Sequence, residues 1–143
     1  MGNELASANV NRSYSLSAMS IPIFTFMLFF LFPRYESGAV SSPLFQTILI
    51  VMGVATFSFA FASFYYYGSS LGARVGVSEQ VCYSRRGDRL WLLGCVLLFL
   101  TPSLILFAIG VMLVASAWLA LWLVYVLFAI RYFPRVQTEG GKS

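Results

Sequence analysis

Three stretches without a single charged side chain decide what this sequence can fold into: 21 residues between Arg12 and Arg34, 37 between Glu36 and Arg74, and 41 between Arg89 and Arg131. A helix of about 20 residues covers the hydrocarbon thickness of a bilayer, so each stretch is long enough to cross a membrane. A water-soluble fold of this size cannot hide so much apolar surface. Of the residues, 59% are hydrophobic and 10% charged, where an average soluble domain has about 25% charged. The expected fold is an all-α integral membrane protein, a four-transmembrane-helix bundle that makes residues 1–143 a single membrane domain.

The first stretch holds one helix, over residues 15–33. In the second, residues 37–43 read as a loop and 44–67 as a helix, with Pro43 near its start, where a missing N–H costs little. The third stretch is too long for one crossing, since 41 residues at 1.5 Å each reach roughly 60 Å against a core of about 30 Å. It has to fold back. A turn at Thr101-Pro102-Ser103 leaves unequal halves, whereas a turn over residues 108–111, around Gly110, gives helices at 90–109 and 112–133. Pro102 then lies inside the third helix, frees the Leu98 carbonyl and marks a candidate hinge. Residues 68–89 remain as a polar central loop. Glycines 68, 72, 76 and 87 oppose a long helix there, leaving room for at most a short interfacial one over residues 73–83.

Four crossings place Arg12, the central arginines (Arg74, Arg85, Arg86, Arg89) and the tail residues Arg131, Arg135 and Lys142 on one side, opposite Arg34 alone. Basic residues concentrate on the cytoplasmic side of membrane proteins, so both termini are expected there, in a plasma or inner membrane, with an organelle membrane as the alternative. Tyr65, Tyr66, Tyr67, Trp91, Tyr132 and Phe133 fall at the same interface, where aromatic side chains are enriched. Helix one reads as a retained span, not a signal peptide, because Glu4 accompanies Arg12 in the leading segment. Ala6 stands where a myristoylation signal wants Ser or Thr. Cys82 and Cys95 lie at different depths and are not expected to pair.

What is missing narrows function more than what is present. The sequence has no histidine, and every carboxylate (Glu4, Glu36, Glu79, Asp88, Glu139) falls outside the expected spans. No proton relay or ion site can then be built from charged groups inside the membrane. The usual zinc, haem and nucleophile-base arrangements are absent, as is a phosphate-binding glycine loop with its lysine. The chain reads as a non-enzyme with no catalytic residue, metal or cofactor. Its net charge of +4 sits in short segments that report topology, so nucleic acid is not an expected partner.

Several features remain as candidates, each beside a plainer reading. Ser58 and Ala62, and Ser116 and Ala120, set small residues one turn apart, which lets helices approach closely; the contact is either within the bundle or with a partner. Trp118 and Trp122 stand one turn apart away from the interfaces where tryptophan concentrates, so they either pack or line a lipid pocket. Thr101, Pro102 and Ser103 combine a kink with two hydroxyls, which act as a hinge, line a pore, or re-satisfy a backbone opened by proline. Arg85, Arg86 and Arg89 either fix topology or hold anionic lipid or a partner.

These features order the functions. First comes a non-catalytic membrane subunit that assembles with or stabilises a larger membrane complex. Second is a homo-oligomeric pore lined by Thr56, Ser58, Ser63, Thr101, Ser103 and Ser116, and third a lipid-binding or lipid-moving protein. The expected partners are membrane lipids and other membrane subunits or copies of the chain itself.

Overall fold

The computed structural model describes residues 2–71 and 76–139, with side chains described over residues 8–71, 76 and 78–131. Arg74 and Lys142, and the side chains of Glu4, Ala6, Tyr132, Phe133, Arg135 and Glu139, lie outside the described residues. The described backbone is all helical, in the order α1 (Gly2–Glu36), α2 (Ser42–Ser70), α3 (Val77–Ala108) and α4 (Met112–Glu139). Four segments of these helices are long and apolar enough to cross a membrane: Ala8–Glu36, Ser42–Ser70, Ser78–Ala108 and Met112–Arg131.

The central segment differs from the expected polar loop over residues 68–89. Helix α2 runs on to Ser70 and α3 begins at Val77, so residues 77–89 are helical. Gly76 supplies the start: its extended backbone caps the helix, and its carbonyl accepts the N–H groups of Glu79 and Gln80 at 3.0 Å. Glu79 then lies in the first turn, where a carboxylate complements the helix dipole. Gly87 does not break the helix, because its missing side chain is used for packing. The same extension corrects the placement of Glu79 and Asp88, which lie on a candidate span. Helix α1 likewise starts well before residue 15.

Both hairpin turns are closed by one device. At the end of α3, Gly110 takes a φ of +82°, a left-handed conformation that glycine adopts without steric cost. The N–H of Val111 reaches the Leu106 carbonyl at 3.0 Å and that of Gly110 reaches Phe107 at 3.1 Å, the bond pair of a Schellman cap. Gly38, at φ +74°, ends α1 the same way, with Ala39 bonded to Arg34 at 2.9 Å and Gly38 to Tyr35 at 3.0 Å. The fold-back expected around Gly110 is therefore where the chain turns.

Helix α2 sits between α1 and α3. Its buried positions Phe45, Ile48, Met52, Ala55, Phe59, Ala62 and Tyr66 alternate steps of three and four, the heptad spacing of closely packed antiparallel helices. The opposite face carries Ile50, Val54, Phe57, Phe61 and Phe64, all exposed. Near the hairpin turns, Met27, Leu31, Val40, Phe45, Ile48 and Ala108 form the core, and the rings of Tyr35 and Phe45 stack at 4.8 Å. Helix α4 packs chiefly on α3, and only 6% of its candidate span is buried.

Candidate functional site

A pocket lined by polar and aromatic side chains lies at the end of the molecule away from the hairpin turns, where α1, the last turns of α2 and the first turns of α3 converge. Asn9, Arg12 and Ser13 come from α1, Tyr66 from α2, and Asp88 and Trp91 from α3; together they line a cavity of about 150 Å³. Spacing explains the grouping. Asn9, Arg12 and Ser13 lie one turn apart on one helix face, as Asp88 and Trp91 do on another.

Within this pocket the buried Tyr66 hydroxyl donates to Asp88 Oδ1 at 2.7 Å. Its ring fills the space left by Gly87, where a Cβ would stand 2.9 Å from a ring carbon. The Arg12 guanidinium lies over the Trp91 ring, 4.5 Å from its centre, within cation–π range. Ser13 is fully buried, yet its Oγ has no hydrogen-bond partner. Sequence reasoning gave none of these residues a joint role: Arg12 counted toward topology, Tyr66 and Trp91 as interface anchors, and Asp88 as a loop carboxylate. The available signal was a carboxylate, a tyrosine and the first arginine, each at the edge of an apolar run.

The residues singled out from the sequence fall elsewhere. Ser58 and Ala62 are buried in the α2 seam, whereas Ser116 and Ala120 face outward on α4. The small residue of α4 that is buried is Ala115, whose carbonyl accepts the Ser103 hydroxyl at 2.9 Å. Trp122 donates its indole N–H to the Val96 carbonyl at 2.8 Å. Trp118 lines an apolar groove with Leu98, Thr101 and Pro102. Arg85, Arg86 and Arg89 are exposed on α3, two turns or more before the residue that Trp122 contacts. Pro102 lies inside α3, and the Thr101 hydroxyl beside it bonds the Leu97 carbonyl at 3.0 Å.

No group of three or more metal-ligating side chains occurs among the described residues. Cys82 is exposed, Cys95 is buried, and both are free thiols. The six hydroxyls considered as pore lining all donate to backbone carbonyls. Thr56, Ser58, Ser63, Thr101 and Ser116 bond within their own helices, and Ser103 bonds across to α4. No family model, curated protein or solved structure matches the chain.

Proposed function

We propose that this chain is a non-catalytic subunit, inserted in a membrane by four crossings, that assembles with or stabilises a larger membrane protein complex through α4. The observation behind it is the outward position of Ser116 and Ala120 on the helix that the rest of the chain covers least. Small residues one turn apart let a second helix approach to backbone distance. The equivalent pair on α2, Ser58 and Ala62, is already used inside the chain. Helix lengths agree with insertion: from Arg12 to Arg34, and from Asp88 to Gly110, the backbone rises about 33 Å, close to the roughly 30 Å of a bilayer core. The basic residues argue for a cytoplasmic polar end.

The pore reading draws less support, because hydroxyl protons committed to backbone carbonyls are poor donors to a passing ion's hydration shell.

The test is purification of the tagged chain from its own membranes in mild detergent, with identification of co-purifying chains. A stoichiometric membrane partner is expected, lost in the Ser116→Leu and Ala120→Leu variants while each variant chain remains folded. Recovery of the chain alone, or reproducible unitary conductance in planar bilayers, would overturn the reading.

A further inference from the structure

The Ser13 Oγ is fully buried and has no hydrogen-bond partner among the described residues. A hydroxyl in a helix can bond the carbonyl one turn back, as Thr25 does with Ile21 at 3.0 Å. Ser13 instead lines the cavity of about 150 Å³ beside Asn9 and Arg12, and buried hydroxyls in native proteins normally have a partner. Deeper in the bundle lies an apolar groove of about 290 Å³ among Ile23, Met52, Leu98, Pro102, Ile105 and Trp118. Cavity and groove are in register. Arg12 and Ile23 stand three turns apart on one face of α1, as Trp91 and Pro102 do on α3, a rise of about 16 Å along each helix.

We propose that the cavity and the groove together bind a long-chain fatty acid, with its carboxylate at Arg12 and Ser13 and its chain between α1 and α3. Arg12 supplies the charge. Its guanidinium is planar with donors around its edge, a shape that matches a carboxylate. Stacking one face on Trp91, 4.5 Å from the ring centre, holds that plane while leaving the edge directed away from the ring. The Ser13 hydroxyl and the Asn9 amide add neutral donors for the carboxylate oxygens. Asp88 also lines the cavity, but it accepts from Tyr66 at 2.7 Å and has a further interaction within the chain. It is already engaged and is no contact for the ligand. Its charge sets a limit instead: each negative charge brought beside a carboxylate costs more than the last, which favours a singly charged headgroup over the double charge of a phosphate monoester.

Depth and shape favour a single acyl chain. The rise of about 16 Å from Arg12 to Ile23 is close to half of the roughly 30 Å hydrocarbon core of a bilayer, the depth reached by a chain whose headgroup stays at the surface. One groove takes one chain, which suits a fatty acid better than a two-chain phospholipid. The site rests on the membrane crossings proposed above and not on the α4 partner, so either can fail while the other stands.

Photocrosslinking of the purified full chain in mild detergent tests this, using a palmitate analogue with a diazirine near the end of its chain and mapping the labelled residues. Label is expected on the groove residues around Ile23, Leu98 and Trp118. Palmitate should displace the probe at about one tenth the concentration that methyl palmitate needs, the worth of one hydrogen bond to a charged group. Arg12→Gln should abolish that difference. Ser13→Ala should lower labelling several-fold while leaving the ligand-free chain as stable as before or more so, since the lost hydroxyl had no partner; this separates a ligand contact from a folding defect. Ile23→Trp fills the groove and should weaken palmitate several-fold while leaving octanoate, too short to reach it, unchanged as a competitor. The Arg85→Gln, Arg86→Gln double variant removes charge outside the cavity and should label normally. Displacement by acetate at the concentration effective for palmitate would overturn the fatty-acid assignment and leave a site for any small carboxylate. Label spread evenly over the lipid-facing residues, equal competition by palmitate and its methyl ester, or no effect of Ser13→Ala would overturn the proposal.

Discussion

The ring of Phe59 occupies the volume that a side chain would take at Gly94, where a Cβ would stand 2.8 Å from a ring carbon. Tyr66 and Gly87 repeat the arrangement two turns away at 2.9 Å, so α2 and α3 are joined by two rings in two notches, each pair spaced by seven residues. Both rings are buried and have little freedom to yield. Gly94→Ala is therefore expected to destabilise the chain by about 1–3 kcal/mol, the usual cost of overpacking. Gly53 on α2 has nothing within 4 Å of its Cβ position, so Gly53→Ala should be neutral or stabilising by roughly 0.5–1 kcal/mol through helix propensity. Thermal unfolding in one detergent measures both, and equal effects would contradict the notch.

The bond from Tyr66 to Asp88 is the polar tie between the same helices, made by a buried hydroxyl. Tyr66→Phe keeps the ring in the Gly87 notch and removes only that bond, which for a charged acceptor is worth about 1.5–3 kcal/mol. Asp88→Asn keeps an acceptor in place and is expected to cost less than Tyr66→Phe. A larger loss for the asparagine variant in the same unfolding assay would show that the carboxylate's charge matters more than its bond to Tyr66.

How much of this was legible in the sequence differs by level. The charge-free runs and Gly110 located the helices and the hairpin turn, because bilayer thickness and a left-handed residue impose conditions that composition alone can meet. The interior seam was not legible from polarity. Phe57, Phe61 and Phe64 on the outer face of α2 are as apolar as Phe59 within it, since lipid accepts what a core accepts. Size marks the seam instead, through Ala55, Ser58, Ala62 and Ser63. The start of α3 was missed because Gly87 was read by its helix propensity, when tertiary packing on Tyr66 decides its role. The pocket was missed for a related reason: Arg12, Tyr66 and Asp88 are far apart in sequence, and only the three-helix junction brings them together.

Helix α4 is fixed to α3 by two side-chain bonds to backbone, Ser103 to Ala115 at 2.9 Å and Trp122 to Val96 at 2.8 Å, together with the Phe99 and Tyr125 ring contact at 5.1 Å. Interhelical hydrogen bonds within membranes average about 0.6 kcal/mol and reach roughly 1.7. Ser103→Ala and Trp122→Phe should each cost an amount in that range. Their combination should loosen α4 while α1 to α3 stay packed. Hydrogen exchange in micelles checks this: faster exchange confined to α4 is expected, and uniform acceleration through all four helices would mean that α4 unfolds with the rest.

The Gly110 turn has no polar side chain among Phe107, Ala108, Ile109 and Val111, unusual for a hairpin expected to reach the bilayer surface. Its cap explains how it manages: the carbonyls of Ile105, Leu106 and Phe107 accept N–H bonds from Ile109, Val111 and Gly110, leaving few backbone groups in need of water. Gly110→Ala forces a left-handed alanine at φ +82°, a strain of about 1–2 kcal/mol. Its effect should fall on the α3–α4 hairpin first, because nothing else lies near that position. The same turn governs topology. If the chain crosses four times, accessibility tags inserted at Gly38 and at Gly110 should report the same side, and a tag among residues 72–75 the opposite side. The cluster of Arg85, Arg86 and Arg89 predicts that the latter side is cytoplasmic. A Gly110 tag appearing with the residue 72–75 tag would place the hairpin inside the membrane plane, remove two crossings, and leave α4 without the lipid-facing position from which its proposed partner contact is argued.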